Sequence, residues 1–457
     1  MNENLTQYLE YLIYFINIIF ITSFIVLLAR SQKNAILFRF FYAGLGAKLV
    51  CSVLFGLLYK YYYQNGDTFI IFSDASSIAK ILIENPKKYL GILFLGDFSG
   101  IPVEYLHSHF IWQSATLLMS RILSVFCLLS DNNYWLVGIY LAVFSYIPVF
   151  MLANKLADIF PNAKNAAAIA FLGVPSVVFW SSGVCKETLL LPFICILGDI
   201  FMRNIYVNIT THSPSLKEKE KEKERGVFTS NYSAIFKDIL LAMFCFLIIW
   251  KLKYYYAGVL LICMLSFLIN LYLERVFLKK IYQQYPSLSY FMVVFLMFII
   301  LFPAGFLHWN LQLDNIMGAL VQNHDQIYKI KPQDAIQFNN LKVNWSSLLE
   351  NTPLAMFSGL FRIFLWESKT FLQALAGAEN LLILGLFVAS LVRWWQNGRY
   401  FSTLIFVILI YITVLATMLA LSSPNFGTLS RYKVGFVPFE VYLMLLVFYQ
   451  TKVNKET

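Results

Sequence analysis

The chain has 457 residues, 59% of them hydrophobic and 13% charged, with a mean hydropathy of +0.66. Soluble domains carry about 45–50% apolar and about 25% charged residues, so this composition excludes an ordinary water-soluble enzyme and makes lipid the main solvent. The net charge of +10 is spread over short basic runs between apolar stretches, which fits loops held beside anionic lipid and argues against a nucleic-acid surface.

Taken in chain order, the apolar runs predict an all-α, polytopic integral membrane protein, a single transmembrane domain over residues 1–457. Acidic Glu3 and Glu10 precede a long apolar run without a small-residue cleavage site, which reads as a retained first helix. Spans are expected at Tyr11–Leu28, Ile36–Leu58, Ile111–Leu129, Tyr134–Ala153, Ala166–Trp180, Thr188–Met202, Ile239–Trp250, Tyr256–Leu273, Phe291–Leu307, Leu381–Trp395, Thr403–Leu421 and Val434–Tyr449. That is about twelve crossings at ~20 residues each. Several runs fall short of that length and are expected to be tilted, broken or re-entrant.

Lys and Arg set the expected orientation. Residues 203–237, with the Lys-Glu run from Lys217 to Arg225, read as a charged cytoplasmic loop; the Asn-x-Ser/Thr triplets at Asn208 and Asn231 are chance matches there. Arg275, Lys279 and Lys280, then Arg393 and Arg399, then Lys452 and Lys455 mark further cytoplasmic segments. Residues 308–378 then form an extracytoplasmic loop with interfacial helices, and Ser422–Lys433 and Trp180–Glu187 face the same side. Arg30, Lys33 and Arg39 place Gly66–Asp74 outside too, whereas counting back from the C-terminal half places it inside. One segment between Lys60 and Met202 is therefore no simple crossing, and a dip of Tyr89–Pro102 into the membrane would reconcile the two. The six cysteines form no CxxC and lie mostly in apolar runs, where Cys acts as a small hydrophobe.

Four clusters could carry chemistry. In Asn65–Asp74, the carboxylates of Asp67 and Asp74 share one helical face about 10 Å apart, too far to chelate one ion. One of them at a membrane-surface turn suits a general base on a hydroxyl; the bland alternative is a helix cap. In Pro175–Glu187, a Pro-broken helix ends in small polar residues and the next begins at Lys186-Glu187, a plausible anion site. Otherwise Lys186 snorkels and Glu187 caps. In Leu360–Lys369, Arg362 and Glu367 would stand about 140° apart on a helix and are not expected to pair. Arg suits phosphate; the alternative is an interfacial helix anchored by Trp366. In Asn425–Pro438, Arg431, Tyr432 and Lys433 form a cationic mouth on the outward side, which wants an anionic headgroup or pyrophosphate unless the loop is misjudged.

Weaker signals are Glu104 with His107 and His109 as metal ligands, Lys48 and Arg121 as snorkelling cations, and an Asp199–Arg203 pair. No Walker loop, GxGxxG, HExxH or GxSxG element is present, so ATP-driven transport and peptidase chemistry lack support.

Three of these elements resemble the GT-C superfamily of polytopic glycosyltransferases: an Asp early in an outward loop (Asp67), the Pro175–Glu187 element, and Arg431-Tyr432-Lys433 running to Pro438. The Arg362…Trp366-Glu367 element, with Glu379-Asn380, is similar to one in cell-envelope membrane proteins common in Bacteroidota. In the superfamily that Asp usually follows the first helix, whereas Asp67 follows the second. The resemblance implies a GT-C-like fold in the bacterial inner membrane. It also implies transfer of a sugar from a polyprenyl-phosphate donor to a cell-envelope glycan or lipid acceptor on the periplasmic side. Asp67, with Asp74 near, would take the acceptor's proton. Lys186, Glu187, Arg362, Glu367, Arg431 and Tyr432 would bind substrate, the basic groups meeting the charge on the departing phosphate. No cofactor or nucleic acid is called for, and a divalent metal stays open. The rival expectations are a Wzy-like polysaccharide polymerase, a transporter or lipid-linked oligosaccharide flippase, and a structural subunit.

Overall fold

A computed structural model describes residues 3–64, 66–101, 114–210, 230–307, 312–330, 332–397 and 402–449. Among them every element is helical, with a lone bridge between Ala335 and Asn425. Six described helices are long and apolar enough to cross a membrane: Tyr11–Ser31, Phe38–Tyr62, Tyr134–Ile159, Tyr254–Gln284, Phe371–Gln396 and Thr403–Ser422. Phe426–Gly435 and Val437–Tyr449, bent by 65°, make a seventh if they form one span.

The expected twelve crossings are thus not supported. Ala115–Leu129 and Ser287–Pro303 are too short. Ala166–Trp180 is broken into pieces by a π turn and Pro175. The remaining two helices carry charge, Lys186, Glu187, Asp199 and Arg203 in one and Lys237, Asp238 and Lys251 in the other.

The chain packs as two compact units, Met1–Lys253 and Tyr254–Thr457. The first holds α1 (Glu3–Ser31), α2 (Phe38–Leu57), α3 (Asp67–Glu84), α4 (Pro86–Leu90), α5 (Ser114–Leu129), α6 (Tyr134–Ile159), α7 (Lys164–Ala168), α8 (Pro175–Trp180), α9 (Lys186–Thr210) and α10 (Ser230–Leu252). Helices α2 and α6 run antiparallel, and polar groups fix a register that apolar contact alone would leave loose. The Leu37 amide donates to Asn154 Oδ1 at 3.1 Å, Tyr146 Oη to the Phe41 carbonyl at 2.7 Å, and Lys48 Nζ to Ser145 Oγ at 2.6 Å. At the far end, a Cβ on Gly56 would stand 2.7 Å from the Trp135 indole.

The end of α2 and the start of α6 therefore lie side by side, and the chain between them leaves and returns at one end of the unit. A lone crossing over Ile111–Leu129 would put Gly56 and Trp135 at opposite ends, and its described part, Ala115–Leu129, is shorter than a span. The same end gathers Thr68 on Tyr134, Phe55 on Gly183, and Glu187 on Lys253. The other end gathers Arg39 on Asn165, and Arg203 on Asp199 and Asp238. The expected Asp199–Arg203 pair forms at 2.9 Å, as an i,i+4 spacing favours.

The second unit holds α11 (Tyr254–Leu273), α12 (Lys279–Gln284), α13 (Ser287–Leu307), α14 (Leu313–Ile330), α15 (Trp345–Phe361), α16 (Phe371–Asn397), α17 (Thr403–Ser422), α18 (Phe426–Tyr432) and α19 (Val437–Tyr449). Helix α17 packs against α11, α14 and α15. Gly359 of α15 lies against the Ala416 backbone of α17, a contact that leaves no room for a side chain. Asn270, Tyr282, Ser289 and Thr403 hydrogen-bond in one chain at 2.8–2.9 Å and tie α11, α12, α13 and α17 together. Asn344, Ser402 and Asn425 accept backbone N–H bonds at the starts of α15, α17 and α18.

Candidate functional site

In the first unit, the Val174 backbone is extended and Pro175 opens α8, so the chain restarts its helix there and stops again at Trp180. The turn Ser181–Cys185 that follows is buried throughout. Phe55 lies so close over Gly183 that a residue with a side chain could not occupy that position without displacing the ring. Lys48 Nζ donates to Ser181 O and Ser181 Oγ, both at 2.8 Å, besides Ser145 Oγ, so all three ammonium protons have acceptors. Lys48 is 3% exposed and does not snorkel, contrary to expectation: its acceptors lie within the helix packing, so the head has no reason to seek water. Arg121 is likewise committed, donating to Leu93 O through Nε at 3.2 Å and Nη2 at 2.6 Å.

Glu187, in the first turn of α9, pairs with Lys253 Nζ at 2.7 Å, with both side chains almost wholly withdrawn from solvent. Lys186 is half-buried at the first position of the same helix. Asp67 and Asp74 do share α3, but with unlike surroundings: Asp67 is exposed in the first turn, and Asp74 is fully buried. Gly66, not Asp67, holds the N-cap position. The start of α3 and the 181–185 turn share one apolar cluster of Phe55, Tyr59, Cys185, Phe69, Phe179 and Trp180. The first two sequence clusters therefore converge.

The third and fourth clusters converge in the second unit. Helix α15 ends at Phe361; Arg362 is extended, its peptide to Ile363 is cis, and Leu365–Glu367 form a 3₁₀ turn. That overturns the expectation that Arg362 and Glu367 stay apart. Off the helix, Arg362 Nε reaches Glu367 Oε1 at 2.8 Å and Nη2 reaches it at 2.6 Å. Trp366 is 72% exposed, on this turn and not on the helix expected.

The turn is pinned on every side. Lys433 Nζ donates to Leu360 O at 3.0 Å and Arg362 O at 2.7 Å, capping the C-terminus of α15 in trans. Asn380 Nδ2 donates to Ile363 O at 3.0 Å, and the Phe364 amide to Glu367 Oε2 at 3.0 Å. The Arg362 guanidinium also sits over the Phe426 ring at 5.5 Å. Phe426 belongs to the short helix that carries Arg431 and Tyr432, both half-buried, with Arg431 over the Tyr432 ring at 5.3 Å. Nη1 of Arg362 makes no hydrogen bond among the described residues, and the side chain keeps 21% of its surface.

Glu440 was not singled out by the sequence. It is 3% exposed, in the first turn of α19, and neither carboxylate oxygen has a hydrogen-bond partner among the described residues. Lys433 is the cation whose charge it feels. Lys253 was missed as well; a lysine directly ahead of Tyr254-Tyr255-Tyr256, at a helix junction, was the available signal.

Glu104, His107 and His109, and the run from Lys217 to Arg225, lie outside the described residues. Among the described residues no group of three or more His, Cys, Asp or Glu side chains is placed to hold a metal ion. No family model, curated protein or solved structure matches the chain, so the GT-C resemblance is carried by its sequence elements alone.

Proposed function

We propose that the protein is a glycosyltransferase of the bacterial inner membrane, moving a sugar from a polyprenyl-phosphate donor to a cell-envelope glycan or lipid acceptor on the periplasmic side. One observation carries this reading: two cationic elements about seventy residues apart in sequence meet at the pinned turn 360–367, where Arg362 keeps a donor edge unused. A rigid guanidinium fork beside exposed Trp366 fits a headgroup phosphate at the level where aromatic rings anchor in a bilayer.

In the reaction, the acceptor hydroxyl oxygen bonds to the anomeric carbon while that carbon's bond to the phosphate oxygen breaks. The electron pair leaves with the phosphate, and the hydroxyl proton goes to a carboxylate. We assign Arg362 and Arg431 to the phosphate charge and Glu367 to orienting Arg362. The GT-C resemblance gives the proton to Asp67, which is exposed at the start of α3, whereas Asp74 of the same helix is closed to solvent.

The convergence of Arg362 with the element carrying Arg431 also suits a Wzy-like polymerase, which would depend on the arginines and not on Asp67. Purified protein in liposomes, given a polyprenyl-phosphate-linked sugar, should form a glycosylated acceptor, and Asp67→Asn should abolish it. Full turnover by Asp67→Asn moves the reading to the polymerase. Solute movement without any covalent product makes it a transporter.

A further inference from the structure

We propose that residues 80–95 form an interfacial hairpin that lays an apolar edge into one leaflet of the bilayer without crossing it. The inference is independent of the chemistry above and begins with the end of α2 and the start of α6 lying side by side, Gly56 against Trp135. Within that excursion, Ile78, Ile81, Tyr89 and Ile92 form a buried cluster, and Tyr89 Oη meets Ser124 Oγ of α5 at 3.2 Å. The opposite side is bare. Ile83 is 84% exposed, Phe94 73%, Leu95 83% and Leu90 50%, beside exposed Lys80, Glu84 and Lys87.

This edge is held firmly. Asn85 caps α4, accepting from the Lys88 amide at 3.0 Å, and Pro86 opens that helix. The π turn Gly91–Leu95 ends at Gly96, whose φ of +71° is in the left-handed region, and Arg121 grips the Leu93 carbonyl just before it. A Cβ on Gly96 would come within 2.7 Å of the Arg121 guanidinium.

Directly past Gly96 the character reverses. Asp97 accepts from the Ser99 hydroxyl at 2.6 Å, the Ser99 amide at 3.0 Å and Lys88 Nζ at 3.1 Å. These bonds, the Ser99 hydroxyl foremost, hold its carboxyl down at about 2, so it stays charged and belongs in water. Within a few residues the hairpin thus passes from bare Phe and Leu to a charged knot. An oil–water boundary suits that sequence, with Lys80 and Lys87 placed to meet lipid phosphates. Bilayer lipid is the occupant that accepts both the apolar edge and its cationic flank. It is also already at hand, since α2 and α6, which bracket the excursion, are apolar spans.

The test uses the full chain in phosphatidylcholine–phosphatidylglycerol vesicles, with Cys51→Ser and the five buried native cysteines left in place. A nitroxide is attached at Ile83→Cys, Phe94→Cys, Leu95→Cys or Gly100→Cys, where a Cβ meets nothing within 4 Å, and its collision rates with dissolved oxygen and with a water-soluble nickel chelate are compared. Oxygen should dominate several-fold at the first three positions and the chelate at Gly100→Cys. Access of the chelate to all four positions would overturn the proposal by placing the edge in water. Shielding of the first three from both reagents would overturn it by showing a protein partner or second copy on that edge. All four positions are exposed, so the substitutions leave the packed core and the Asp97–Ser99 bonds in place.

Discussion

Each unit places charge beside a broken helix, but the two handle it differently. In the first, Lys48 spends its three protons on serine oxygens, and Glu187 and Lys253 close on one another with almost no exposed surface. In the second, Arg362 and Glu367 pair while each keeps about a fifth of its side chain exposed, and the guanidinium retains unused donors. Charge withdrawn from solvent and closed on a partner fixes helix ends. Charge held rigidly at an edge with capacity left over can bind. On the proposed reading, the 360–367 turn is the first place to look for a ligand.

The contrast is open to direct attack, beginning with the largest effect. Glu187→Ala removes the buried carboxylate that Lys253 Nζ meets at 2.7 Å and should cost about 3–5 kcal/mol, read as a fall in thermal stability in nanodiscs. A small change would show that water reaches the pair. Lys433→Met strips the Leu360 and Arg362 carbonyls of their cap and should cost about 1.5–3 kcal/mol. Adding Glu440→Gln should restore part of that, since the buried carboxylate then needs no counter-charge; an additive double mutant would mean that Lys433 and Glu440 are independent.

Arg362→Ala should cost about 1–2 kcal/mol of stability, less than Glu187→Ala because its ion pair is partly solvated, yet it should remove sugar transfer. Comparable losses of stability and activity would make Arg362 scaffold like Lys48. The smallest effect belongs to Asp97. Its folded pKa of about 2 lies below the ordinary 3.8, so its contribution is complete at neutral pH and fades as pH falls from about 4 toward 2. The amide resonance of Ser99, which donates to Asp97, should shift in that window in wild type, and Asp97→Asn should show no such step.

How much of this was legible beforehand depended on how local the deciding contact is. Long apolar runs such as Thr403–Ser422 announce themselves, and Asp199–Arg203 follows from helix spacing. The Arg362–Glu367 pair was misread because the helix ends one residue earlier, at Phe361, and no glycine or proline marks that end. The stop is imposed from a distance, by Lys433 on the carbonyls and Asn380 on Ile363. Lys48 looked like a snorkelling cation because its acceptors lie 97 and 133 residues away. The count of spans failed at charged or broken helices, where a hydropathy window reads depth without reading direction. The return of the chain between α2 and α6 rests on Gly56 against Trp135, a contact no periodicity encodes.

The most direct test is the affinity of the purified protein for polyprenyl phosphate in nanodiscs, compared between wild type and Arg362→Ala at matched stability. Loss of the guanidinium should weaken binding about tenfold to a hundredfold, the value of a charge-assisted contact. Equal affinity in the two proteins would mean that the turn between α15 and α16 holds no phosphate, and the enzymatic assignment would fall with it.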